Sequence, residues 1–205
     1  MTVTKKSKKS LSDFQQLLQE VQRCALCQQH LPFTANPVIS VGQTAKIIII
    51  GQAPGIKAHQ TSTPWNDASG HRLREWLGIG NEIFYNPDLV ALMPMGFCFP
   101  GYIKGADAPP RRECAPQWHS KLLAHLSPEL TLLIGRYAQN YYLPQYNNLT
   151  DAVRHQGEEF IGPFVLPHPS GRNNRWLKIN PWFEEAILPG IRKKLQASLK
   201  NQDTF

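Results

Sequence analysis

Apolar positions at spacings of three and four, Phe14, Leu17, Leu18 and Val21, predict a helix capped by Ser12 or Asp13 and running to about Arg23. The rhythm then changes. Lys46-Ile47-Ile48-Ile49-Ile50 is a β-branched run closed by Gly51, the pattern of a strand buried on both faces of a parallel sheet. Phe84–Leu92 holds a second strand, Leu130–Ile134 before Gly135 a third, and Phe164–Leu166 a short fourth. Between them, helical patterns cover Ser69–Leu77 (stopped by Gly78), Pro116–Leu126 and Tyr137–Leu143, and Pro181–Leu199 forms a last helix interrupted near Pro189-Gly190. Residues 28–45, 52–66 and 93–113 read as loops rich in proline or glycine.

Strands alternating with helices predict an α/β fold, a three-layer α/β/α sandwich around a mostly parallel four-stranded sheet. Ligands on such sheets sit beyond the carboxyl ends of the strands. The loops after Ile50, after Leu92 and after Leu166 all follow strands, so they converge on one edge. No repeat or linker divides the chain. Residues 1–10 read as a disordered basic lead, and residues 11–205 as one domain.

Composition adds modest constraints. Of 205 residues, 41% are hydrophobic, enough for a core, and no apolar run approaches the roughly 20 residues of a membrane span. Met1-Thr2-Val3-Thr4-Lys5-Lys6 has no apolar stretch behind it, so a cytoplasmic monomer without membrane association is expected. Lysine and arginine number 22 against 15 acidic residues, a net charge of +7 that favours polyanionic partners, although Lys5, Lys6, Lys8 and Lys9 belong to the lead.

Candidate chemistry clusters in three places. Gly51-Gln52-Ala53-Pro54-Gly55 follows the first strand as a tight turn that brings backbone NH groups near a ligand, or serves only as a strand-to-helix turn. In Pro64-Trp65-Asn66-Asp67-Ala68-Ser69-Gly70, Trp65 offers a flat face for a base, and Asp67 a carboxylate that orients water or caps the next helix. In His168-Pro169-Ser170-Gly171-Arg172-Asn173-Asn174-Arg175, the prolines around His168 stiffen the turn. A histidine held this way can donate to a developing oxyanion, or only cap a basic surface loop. Ser170, Gly171, Arg172, Asn173 and Arg175 form a polar, basic stretch suited to DNA phosphates. Four cysteines remain: Cys24-x2-Cys27, and Cys98 separated from Cys114 by 15 residues. They suit zinc, an iron-sulfur cluster, or simple burial of thiols.

Taken together, these motifs resemble the uracil-DNA glycosylase superfamily from Cys24 to about Phe183, and in particular its bacterial and archaeal branches with a four-iron four-sulfur (4Fe-4S) cluster. The resemblance implies a DNA-repair hydrolase that flips a damaged base and cleaves its N-glycosidic bond. It implies a cluster held by Cys24, Cys27, Cys98 and Cys114. Trp65 stands where the family stacks the base, His168 where it stabilises charge on the departing base, and Asp67 where one branch assists water. Gly171 and Arg172 fall in the loop that fills the duplex gap. Two positions depart from the pattern. Gln52 and Ala53 stand where many relatives carry an acid. Pro94 replaces the asparagine that reads uracil, four residues before the third cysteine. A non-catalytic DNA-binding module on the same fold therefore stands as an alternative, and a metal protein without nucleic-acid function as a third.

Overall fold

A computed structural model describes residues 11–156 and 161–200. The basic lead at 1–10 lies outside them. In chain order the elements are α1 (Asp13–Gln22), β1 (Ile47–Ile50), α2 (Ile56–Thr61), α3 (Ala68–Leu77), α4 (Asn81–Phe84), β2 (Val90–Leu92), β3 (Tyr102–Ile103), β4 (Ala106–Asp107), α5 (Cys114–Leu123), β5 (Leu130–Ile134), α6 (Arg136–Tyr142), α7 (Leu149–Arg154), β6 (Phe164–Leu166), α8 (Asn174–Ile179) and α9 (Leu188–Lys200).

Four parallel strands form the main sheet in the order β2-β1-β5-β6. Ile47 pairs with Val90 on one side and with Leu130 on the other, and Leu132 pairs with Phe164. Every isoleucine of β1 is at most 1% exposed, as a central strand covered on both faces requires. Burying each such side chain contributes roughly 1.5–3 kcal/mol. Helices cover the sheet as an α/β sandwich: α9 packs on β5 and against α3, α6 on β5, α7 on β6, and α1 on α5. One apolar cluster runs from Phe14 in α1 to Leu195 in α9.

Local chemistry sets the element ends. Ser12, not Asp13, caps α1, in a reciprocal capping box with Gln15. Asp67 caps α3, and Gly78 ends it in the left-handed conformation, φ +67°. The last helix begins as a π-helical turn over Phe183–Ile187 and continues as α9 straight through Pro189-Gly190. Proline has no N–H for the usual helical bond, and the widened turn just before it absorbs that loss.

The expected strand at 84–92 is shorter than its pattern suggested. Residues 81–84 are helical, Asn86 folds back to accept the Asp88 N–H, and pairing starts only at Val90. The loops at 52–66 and 93–113 contain α2 and the β3–β4 hairpin. Two further short helices, α7 and α8, fall where the sequence pattern gave no helix. No helix among the described residues is long and apolar enough to cross a membrane.

Candidate active site

The sheet order changes direction between β1 and β5, and the segments leaving all four strands meet there, as expected at a switch point. A cleft of about 420 Å³ opens at that edge. Its wall comes from Gly51–Gly55 after β1, Pro94 after β2, Gly135–Tyr137 after β5 and His168, Ser170, Arg172 and Asn173 after β6; Trp65, Asp67 and Asp107 complete it. A hollow of similar volume beside α1, lined by Leu18, Ile39 and Val41, has no convergent ionisable pair, so the chemistry belongs to the cleft.

Trp65 is fixed by three constraints. Its φ is +56°, a left-handed value that costs a non-glycine residue roughly 1–3 kcal/mol and has to be held by its surroundings. The Tyr85 hydroxyl (3.3 Å) and Arg74 Nη1 (3.4 Å) both donate to the Trp65 carbonyl, and the Arg74 guanidinium lies over the Phe84 and Tyr85 rings. Glycine is required on both sides of the residue. A Cβ at Gly51 would lie 2.6 Å from Trp65 Cζ2, and one at Gly70 would lie 1.8 Å from the Trp65 carbonyl oxygen. Gly70→Ala is therefore expected to cost about 1–3 kcal/mol despite the better helix propensity of alanine, because backbone must move. A thermal melt with near-UV circular dichroism checks it: an unchanged melting temperature and aromatic signal would contradict this packing.

His168 lies against Trp65, ring centroids 5.6 Å apart. The Ser170 backbone N–H donates to His168 Nδ1 at 3.3 Å, and the Asn173 side-chain amide donates to the His168 carbonyl at 2.7 Å. With Nδ1 accepting, the neutral ring carries its proton on Nε2 as a donor. Burial holds the His168 pKa below the ordinary histidine value, and the Asp67 carboxylate partly opposes that shift. Gly135, φ +83°, lets the β5–α6 turn approach: a Cβ there would sit 3.4 Å from His168 Cβ. Asp67 uses Oδ1 to cap α3, accepting from Gly70 N at 2.8 Å. Its Oδ2 lies 3.9 Å from where a Gly55 Cβ would be. The cap and the water-orienting carboxylate are thus compatible on one side chain.

The remaining sequence candidates divide. Gln52, Ala53, Pro54 and Gly55 line the cleft, but the carbonyls of Gly51 and Gln52 accept from Met95 and Gly96, and the Gln52 amide donates to Ala108. Gly171 opens an exposed 3-10 turn, and Arg175 is exposed on α8 away from the cleft lining. Arg172 does line the cleft, yet its guanidinium donates to the Gly105 carbonyl at 2.7 Å. It thereby ties the β3–β4 hairpin to the His168 loop. That hairpin brings in Asp107, a second carboxylate that sequence reasoning missed, with Oδ2 3.7 Å from the Gly55 Cβ position. Burial raises the Asp107 pKa, Arg172 lowers it, and Asp67 raises it. Arg136 and Tyr137, also missed, follow Gly135; the guanidinium lies over the Tyr137 ring at 4.9 Å.

A family model of the uracil DNA glycosylase superfamily matches residues 39–192, three-quarters of the chain and all of the cleft lining but Val38. The chain belongs to the uracil DNA glycosylase superfamily. Membership supports a glycosylase-like function in DNA repair and DNA as a partner. The family match begins after Cys24 and Cys27, which lie outside the matched residues.

Within this glycosylase scaffold Pro94 lines the cleft, and its carbonyl is tied back by a buried histidine. His119, 1% exposed, donates from Nε2 to Pro94 O (3.0 Å), and its Nδ1 accepts from the Tyr142 hydroxyl (2.6 Å). Burial pushes the His119 pKa down to about 4 and the Tyr142 hydroxyl above its ordinary value. A base whose folded pKa lies below its unfolded one stabilises the fold above the unfolded value, and that stability is lost as pH falls from there through the folded pKa. Between pH 6.5 and 4 this amounts to about 3 kcal/mol. Denaturant titrations across that range are expected to show the loss, with a shallower slope in His119→Gln. Equal slopes would assign the acid sensitivity elsewhere.

The four cysteines come from separate parts of the chain: Cys24 and Cys27 after α1, Cys98 after β2 and Cys114 opening α5. Burial raises the Cys27, Cys98 and Cys114 thiols, to about 11 for Cys98 and about 12 for Cys114, and the neighbouring sulfurs of the set raise them further. Trp118 Nε1 donates to Cys24 Sγ and Phe97 N to Cys114 Sγ, both at 3.3 Å. Among the described residues, however, no group of three or more His, Cys, Asp or Glu side chains is arranged to hold a metal ion.

Proposed function

We propose that this protein hydrolyses the N-glycosidic bond of a damaged base, uracil or another deaminated base, after the nucleotide has rotated out of DNA into the cleft. The observation that carries the reading is one constellation: the Nε2–H of His168, the uncapped oxygen of Asp67 and the face of Trp65 on a single cleft wall. The flipped base packs against Trp65. Bond cleavage leaves negative charge on the base and positive charge on the sugar. His168 donates to the base carbonyl oxygen where that charge develops, and Asp67 orients water toward the sugar and stabilises its cation. Ser170, Arg172, Asn173 and Arg175 contact the backbone around the lesion, with Arg172 also holding the hairpin.

We assign to Cys24, Cys27, Cys98 and Cys114 the role of holding a 4Fe-4S cluster. Support comes from the Cys24-x2-Cys27 spacing and from the two N–H donors at Cys24 and Cys114, hydrogen bonds to sulfur of the kind that tune such clusters. The cluster would contribute structure, tying the segment after α1 to the start of α5. Purified protein is then expected to be brown, to absorb near 400 nm (as such clusters generally do) and to contain stoichiometric iron and sulfide. Colourless protein with bound zinc would contradict the assignment.

The function is tested by incubating the protein with duplex and single-stranded oligonucleotides bearing uracil, hypoxanthine or xanthine, followed by alkaline cleavage. Release of any of these bases supports the reading; no abasic product from any of them removes it. A second reading, a lesion-binding module without turnover, is favoured by Ala53 and Pro94, which leave the cleft without the family acid and without the base-reading amide. Salt-dependent binding to damaged DNA with no product would establish it.

A further inference from the structure

The 170–175 loop contains no apolar side chain: it reads Ser-Gly-Arg-Asn-Asn-Arg. A duplex that gives up one nucleotide to a pocket is left with a gap in its stack, and proteins that hold such a gap open insert apolar wedges. Gly171 and Arg172 cannot supply one. Beside them stands an element that can.

We propose that the β3–β4 hairpin, rather than the 170–175 loop, carries the wedge, with Tyr102 and Ile103 entering the base stack; this rests on the glycosylase reading above. Tyr102 and Ile103 are 59% and 56% exposed, an adjacent pair of large side chains more than half open to solvent. Their cross-strand partners are Asp107 and Ala106, and both of those line the cleft. The wedge pair therefore stands one strand away from the base pocket. The turn between the strands is only Lys104-Gly105, with φ +50° and +70°, the two left-handed residues of a tight hairpin turn whose twist matches that of its strands.

The hairpin is braced at both ends. At its base, the Tyr102 ring meets buried Phe99 edge-on at 5.1 Å, and Phe99 stacks on Phe33. At its tip, Arg172 donates to the Gly105 carbonyl at 2.7 Å, which joins the wedge to the loop that positions His168. Insertion and base capture thus share one rigid frame. Lys104 at the tip and Arg172 beside it place positive charge next to the pair, as the phosphates flanking a gap require. This setting identifies the occupant as duplex DNA, since it joins apolar side chains to flanking cations at the mouth of a nucleotide-sized cleft.

The test needs no turnover. The probes are a duplex carrying a tetrahydrofuran abasic-site analogue opposite 2-aminopurine, the matching intact duplex, and the single strand. Wild type is expected to prefer the abasic duplex and to raise 2-aminopurine fluorescence on binding it. Tyr102→Ala/Ile103→Ala is expected to lose about tenfold of that preference and the fluorescence rise, while intact-duplex and single-strand affinities stay within about twofold. Ile103→Lys alone keeps the tip charged and is expected to lose the preference as well, with its melting temperature confirming the fold. Retained preference in both variants overturns the wedge. So does an equal loss on all three probes, which would make the pair a general stacking surface. Wild-type protein that binds none of the probes defeats the glycosylase reading itself, whereas wild type that binds without releasing any base leaves the wedge test intact.

Discussion

His168→Ala is expected to slow base release by about 10²–10³ in single-turnover assays while leaving DNA affinity within a few-fold, the loss found when one well-placed donor to a developing oxyanion is removed. The geometry makes the expectation specific. Ser170 N–H occupies Nδ1, so the neutral ring presents only Nε2–H to the cleft. Burial holds the pKa below the ordinary histidine range, so the ring stays a neutral donor as pH falls past 6.5. The rate is then expected to stay level through that value and to fall only at more acid pH, with a group of lowered pKa responsible. Because the Asp67 carboxylate is the opposing influence that raises the His168 pKa, removing its charge should move this acid limb to still lower pH. An alanine variant that turns over at the wild-type rate would dismiss His168 from the chemistry.

The parts of this site that could be read in the sequence are those in which one residue type fits one local requirement. Ile47–Ile50 before Gly51 signalled a buried strand with a turn at its carboxyl end, and the structure puts that turn on the cleft. Asp67 before an amphipathic stretch signalled a cap, which it is, and His168 between two prolines signalled a constrained donor. What escaped notice depends on partners remote in sequence. A two-residue strand has no periodicity, so the β3–β4 hairpin was hidden within a proline-rich loop, and Asp107 with it. Arg172 read as a free phosphate ligand because nothing in its own neighbourhood announces Gly105, 67 residues away. The requirement for glycine at position 70 is likewise set by the Trp65 carbonyl, not by the helix it begins. Pro94 read only as the loss of a base-reading amide, and its tie to His119 became visible only in the folded chain.

The largest remaining expectation concerns the two carboxylates that share the wall around Gly55. Asp67→Asn keeps an oxygen for the Gly70 N–H, so the α3 cap should survive and the melting temperature should change little. Base release, by contrast, should fall by about 10²–10⁴, because the amide can neither polarise the water nor balance charge on the sugar. Asp67→Ala removes both functions and should add about 1 kcal/mol of lost stability to the same rate defect. Comparing the two separates capping from chemistry on one side chain. Asp107→Asn supplies the contrast. Arg172 already faces the Asp107 carboxylate, and burial raises its pKa, so it is the less suited of the pair to carry the charge the reaction needs. A rate defect larger in Asp107→Asn than in Asp67→Asn would reverse that assignment. It would place the water on the hairpin side of the cleft, on the one acid that reaches the pocket from the 93–113 loop.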